Sequence, residues 1–98
     1  MEVILSDAQI ISEIKAYPQA NWIWIKIWDT ADYEIQTVVT ISNNGLPKLG
    51  EYKTIQICSA KTDEDGEVDS LKKYAKRIVR LLRRNFPESE VHSNLYYK

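Results

Sequence analysis

The chain has 98 residues, 44% of them hydrophobic and 28% charged, with a formal net charge of −1. That size and composition fit one domain with a single modest core, and they exclude wholesale disorder and collagen-like repeats. One cysteine, Cys58, and one histidine, His92, exclude an internal disulfide and leave too few ligands for a cysteine–histidine zinc site.

No apolar run approaches the ~20 residues of a membrane span, and the segment Met1–Ser6 lacks the basic-then-apolar order of a secretion signal. The expectation is a soluble cytoplasmic domain with no membrane partner. The near-neutral charge conceals a split. Residues 1–70 hold five Lys/Arg against twelve Asp/Glu, a net of −7, and residues 71–98 hold eight against two, a net of +6. Either the two halves neutralise each other, or the second half offers a basic contact surface.

In chain order, a short helix is expected from Asp7 to Tyr17. Ser6 and Gln9 have the spacing of a capping box, and Leu5 and Ile10 that of a hydrophobic staple. Ile10, Ile11 and Ile14 form the buried stripe, and Pro18 disfavours helical geometry at Tyr17. Asn21 to Trp28 then alternates strictly, with Ile23, Ile25 and Ile27 on one face and Trp22, Trp24, Lys26 and Trp28 on the other.

Asp29 to Asp32 reads as a turn, and Tyr33 to Ser42 as the antiparallel partner strand. Asn44-Gly45 suits a tight turn, with Pro47 and Gly50 prolonging the loop. Glu51 to Ala60 is the third strand. A long helix is expected from Glu67 to Arg84, with acids at its start and Arg83 and Arg84 in its last turn, both favourable to the helix dipole. Val91 to Tyr97 reads as a fourth strand or an ordered tail.

The fold class expected is α+β: one domain of order αβββα(β), with a three- or four-stranded antiparallel sheet and both helices on one face. Its core should unite Ile10, Ile14, Ile23, Ile25, Ile27, Ile55, Ile57, Leu71, Ala75, Ile78 and Leu82.

The second helix carries the sharpest functional signal. On a 100° wheel Lys72, Lys73, Lys76, Arg77, Arg80, Arg83 and Arg84 share an arc of roughly 140°, with no acid among them. Like charges at helical spacing repel by a few tenths of a kcal/mol per pair. A face that keeps that repulsion suits an anionic partner, unless carboxylates elsewhere in the domain neutralise it.

The second signal is Trp22, Trp24 and Trp28 along one strand face. Such a row anchors a protein interface, stacks bases, or is covered by the C-terminal segment with Leu95, Tyr96 and Tyr97. Left uncovered, it would favour a homodimer through the sheet.

Catalytic signals are sparse. There is no glycine-rich phosphate loop and no nucleophile elbow. His92 and Ser93 are adjacent on a strand pattern and so face opposite ways. The acids Asp63, Glu64, Asp65, Glu67 and Asp69 lack calcium-loop spacing and read as helix-terminus chemistry. No enzyme, cofactor, metal or small-molecule substrate is expected.

The element order αβββα, followed by Lys72-Lys73-Tyr74-Ala75-Lys76, resembles the double-stranded-RNA-binding domain, whose K-K-x-A-K segment opens its second helix. The resemblance implies that Lys72, Lys73 and Lys76 would face phosphates across the major groove. The chain departs from that family in its first helix, which lacks the usual pattern, and at two further places. Asp29-Thr30-Ala31-Asp32 stands where the family carries Gly-Pro-x-His, and Glu67-Val68-Asp69-Ser70 stands where glycine and serine precede the lysines. The leading expectation is therefore a non-catalytic protein-binding module, such as a small regulator, an assembly subunit or a phage-type inhibitor. Its partner would present an acidic surface to the basic helix, the Trp-bearing strand, or both. Nucleic-acid binding through the same helix is the alternative.

Overall fold

Ser6 sets the first helix by the chemistry its spacing implies. Its backbone is extended, its Oγ accepts from the Gln9 N–H, and the Gln9 Oε1 accepts from the Ser6 N–H at 2.8 Å. Two of the N–H groups that a helix start leaves unpaired are thereby satisfied. Helix α1 runs Asp7–Ala16 and ends at Tyr17, which is extended before Pro18.

The computed structural model describes residues 1–18, 20–43 and 52–96. Besides α1 it contains β1 (Glu2–Val3), β2 (Trp22–Ala31), β3 (Glu34–Ser42), β4 (Tyr52–Lys61), α2 (Glu67–Asn85) and β5 (Glu90–Asn94). The Asn44-Gly45 turn and the loop through Pro47 to Gly50 lie outside the described residues.

The sheet has five strands in the order β1-β4-β3-β2-β5 and is mixed, not a three- or four-stranded antiparallel sheet. β1, β4, β3 and β2 pair antiparallel in turn, and β5 pairs parallel to β2. The parallel strand follows from the length of α2. Nineteen residues at ~1.5 Å each carry the chain about 28 Å, back to the end of the sheet where β4 began. The next strand must then run in the direction of β4, which is also the direction of β2. β1 escapes sequence reading because two residues show no periodicity.

The turn expected at Asp29–Asp32 is also corrected. β2 continues to Ala31, which pairs with Glu34, and only Asp32 and Tyr33 turn the chain. Tyr33 takes a left-handed conformation with φ of 58°, and its carbonyl accepts from the Thr62 N–H at 2.8 Å. The register irregularity between Asp29 and Ala31 absorbs the odd residue.

Register decides the faces. Ile23 pairs with Ile41 and Ile25 with Val39, so the isoleucine face of β2 continues through β3. Both helices pack there. Ile10 and Ile14 from α1 meet Leu71, Ile78 and Leu82 from α2 and Ile23, Ile25, Ile41 and Ile57 from the sheet, all at most 1% exposed. The expected core is buried except for Ile55, which is half-buried because β1 pairs only with Cys58 and Ser59 and leaves that part of β4 at an edge. A bulge at the β3–β4 pairing, between Thr37 and Val38, brings both Ile57 and Cys58 into the core. No helix among the described residues is long and apolar enough to cross a membrane.

Candidate functional site

The amphipathic pattern of α2 places its cations. Leu71, Ala75, Ile78, Val79 and Leu82 are buried, which turns Lys73, Lys76, Arg77, Arg80, Arg83 and Arg84 outward to exposed positions. Lys72 is half-buried. Among the described residues, neutralisation reaches one of the exposed six. Arg77 forms a two-pronged ion pair with Asp7 at the start of α1, at 2.7 and 2.9 Å. That hydrogen bond holds the Asp7 carboxyl below its ordinary range and raises Arg77 further. Arg77 also lies 5.2 Å from the centre of the Tyr74 ring.

Arg83 donates through Nη2 to the Val91 carbonyl at 3.4 Å, a backbone contact that leaves its charge uncompensated. Lys73, Lys76, Arg80 and Arg84 form no ion pair among the described residues. Lys76, Arg80 and Arg83 converge on one shallow groove of about 310 Å³, completed by Val79 beneath and by Ser93 and Leu95 from the β5 side. Sequence reading identified the cations but missed the far wall. Val91 and Leu95 do recur at alternate positions around Ser93, which is a strand signal. Only the parallel docking of β5 brings that strand beside α2.

The tryptophan row lies on the opposite face of the sheet. Trp22 pairs with Ser42, Trp24 with Thr40, Lys26 with Val38 and Trp28 with Gln36, so a face of β3 that is polar except at the buried Val38 flanks the row. No helix among the described residues covers it, yet the row is not a continuous apolar patch. Trp22 is only 6% exposed, Trp24 is half-buried and Trp28 is 39% exposed. The row covers itself. Trp22 meets Trp24 edge-on at 5.9 Å between centroids and lies 5.5 Å from the His92 ring, while the Lys26 ammonium sits 4.7 Å above Trp24 and 5.0 Å above Trp28.

His92 joins the row because β5 pairs parallel with β2 in the register Trp24 to His92. The expectation that Leu95 and Tyr96 would cover the tryptophans is not met. Leu95 packs toward the helix-side core and Tyr96 is 72% exposed. Tyr97 lies outside the described residues.

The two expected binding surfaces are thus separate, back to back across the sheet, with β5 at the rim between them. The remaining reactive groups are isolated. Cys58 is fully buried and its thiol is pushed up by desolvation. Among the described residues no three His, Cys, Asp or Glu side chains are grouped to hold a metal. The five acids before and within the first turn of α2 flank the amino-terminal end of the basic face, and Asp63, Glu64, Asp65 and Asp69 are exposed. No protein-family model, no curated protein and no solved structure matches the chain.

Proposed function

We propose that the protein is a non-catalytic protein-binding module that holds an acidic partner surface against the outer face of α2. The observation that supports this is the set of uncompensated cations. The chain has 14 carboxylates for 13 Lys/Arg, enough for pairing throughout. Even so, Lys73, Lys76, Arg80 and Arg84 make no ion pair among the described residues. Like charges left at helical spacing cost stability, and a partner that supplies carboxylates recovers it.

Protein is favoured over nucleic acid by the charge at one end of the helix. A duplex laid along α2 would bring phosphates to Asp63, Glu64, Asp65 and Asp69, next to the lysines meant to receive them. A protein surface can place its acids over the groove and avoid that end. The tryptophan row is the weaker docking surface, because its own members and Lys26 already occupy much of the ring area.

The test is affinity capture from the native cell after nuclease treatment, comparing the natural chain with the triple variant Lys76→Glu, Arg80→Glu and Arg83→Glu. These side chains point away from the core, so the variant keeps the fold, as circular dichroism will verify. The natural chain retains a partner that the variant loses. If the variant retains every partner, the face is only a solvated surface. If nuclease alone releases what was captured, the nucleic-acid alternative holds.

A further inference from the structure

The rim strand β5 has a free outer edge, and the groove lies directly over it. Resting on the reading of α2 as an acid-binding face, we propose that β5 receives an extended acidic peptide as a sixth strand. The peptide's acidic side chains would lie under Lys76, Arg80 and Arg83.

The hydrogen-bond pattern fixes which backbone groups are available. Glu90 N–H donates to the Asn21 carbonyl at 2.8 Å, and β5 continues in parallel register with β2 from there. In a strand, alternate residues turn their N–H and C=O to the same side. Glu90, His92 and Asn94 therefore bond toward β2, while Val91 and Ser93 turn their backbone groups outward. On that outer side the described residues supply one partner, Arg83 to the Val91 carbonyl. The Val91 N–H and both backbone groups of Ser93 have no partner among the described residues. The edge carries no proline and no bulge, two of the devices that ordinarily discourage pairing.

Side-chain direction fixes what an added strand would meet. Val91 and Ser93 are in register with Ile23 and Ile25, so they face the helix side. Alternate residues of an added strand share that side, where the groove presents Lys76, Arg80 and Arg83 above Val79 and Leu95. The spacings agree. Residues two apart on a strand are separated by about 6.7 Å. Lys76 and Arg80 are separated by about 6 Å along the helix axis, and Arg80 and Arg83 by about 4.5 Å. Arg83 reaches Val91 while Lys76 and Arg80 border Ser93 and Leu95, so helix and strand run side by side in opposite directions.

Charge selects the occupant. A second copy pairing β5 to β5 would bring two sets of α2 cations together with no acid on the helix side of either strand. A nucleic acid has no backbone that matches alternating N–H and C=O groups. An extended peptide with an acid at every second position satisfies both the edge and the groove, in the manner of strand-addition recognition.

The experiment uses the full chain and a capped eight-residue peptide alternating glutamate and valine. Two further versions are N-methylated, one on every glutamate amide and one on every valine amide. In an added strand only one of these sets faces β5. One version should lose at least about tenfold in affinity while the other binds like the parent. The amide protons of Val91 and Ser93 should gain protection from exchange. Ser93→Pro removes an outward N–H and should weaken the parent peptide without unfolding an edge strand.

Equal binding of both N-methylated versions overturns the proposal, as does failure of the parent peptide to bind. If charge reversal of Lys76, Arg80 and Arg83 abolishes peptide binding while the two versions remain equal, strand addition fails and the acid-binding reading stands. If charge reversal changes neither peptide binding nor capture, both fail.

Discussion

Arg77 grips Asp7 through both terminal guanidinium nitrogens, Nη1 to Oδ2 at 2.7 Å and Nη2 to Oδ1 at 2.9 Å, and so ties the first turn of α1 to the middle of α2. The residues are 70 apart in sequence, and the pair joins the acidic half of the chain to the basic half. It neutralises one charge of each half across the α1–α2 contact.

Both side chains of that pair are nearly half exposed, at 48% and 42%, so solvent screens most of its Coulomb energy. Asp7→Asn should cost no more than about 1 kcal/mol at neutral pH. The sign with pH follows from the depressed carboxyl. Hydrogen bonding to Arg77 lowers Asp7 from its ordinary value of 3.8, and this outweighs the opposing effect of burial. The stabilisation is therefore fully present above that value and is lost as pH falls through the lowered one. Urea midpoints of the two proteins should differ at neutral pH and converge in acid. A gap that persists in acid would mean that the loss does not depend on the carboxylate charge and so does not come from the ion pair.

Lys26 lies over two rings at once, Trp24 at 4.7 Å and Trp28 at 5.0 Å. Each such contact is worth roughly 0.5–1 kcal/mol at an exposed site. Lys26→Met keeps the chain length and removes the charge, so it should cost about 1 kcal/mol, offset in part by the added apolar contact. Its sharper signature is optical. Tryptophan emission should change on substitution, with little change in far-ultraviolet circular dichroism. Unchanged emission would mean that the ammonium does not rest on the rings in solution.

Much of this arrangement is legible in the sequence where one local rule acts alone. Ser6 and Gln9 give the start of α1, and the alternation from Trp22 to Trp28 gives both faces of β2. The spacing of Leu71, Ile78 and Leu82 gives the buried side of α2 and, by exclusion, its basic side. What is not legible depends on pairing at a distance. Nothing near Ser93 or Leu95 reveals that they will border Arg80, because that needs β5 to dock parallel beside β2. His92 likewise reads as an isolated histidine until the same register sets it against Trp22. The two-residue β1 is invisible because its pairing with Cys58 and Ser59 is set by where α1 begins, not by any pattern of its own.

Cys58 is fully buried beside Thr37 in the β3–β4 pairing, where desolvation raises its thiol. The thiolate is the reactive form, so iodoacetamide should label the native protein far more slowly than the urea-unfolded chain. The same raised value sets a pH trend. The unfolded chain ionises this thiol near 9.0 and the folded one later, so stability declines as pH rises past that value. Replacement by alanine should remove the thiol's share of that decline, leaving the share of Tyr74, which burial also raises, and cost about 1 kcal/mol for the lost packing. Equal labelling rates in native and unfolded protein would contradict the burial.

Duplex RNA can engage only part of the α2 face. Arg77 is held by Asp7. Lys73, Lys76, Arg80, Arg83 and Arg84 remain as five cations with no ion pair among the described residues. Five phosphate contacts would give a slope of log affinity on log salt of about −4 to −5. The acids Asp63, Glu64, Asp65 and Asp69 oppose that attraction at one end of the helix. Binding to duplex RNA at physiological salt should therefore stay within the non-specific range of roughly 10⁻⁴ to 10⁻⁶ M. Neutralising the acids as Asp63→Asn, Glu64→Gln and Asp65→Asn should tighten it, because repulsion is removed and no phosphate contact is lost. Submicromolar binding by the natural chain, with the full slope and complete loss on reversing Lys76, Arg80 and Arg83, would mean that the phosphate backbone is the ligand this helix evolved to meet.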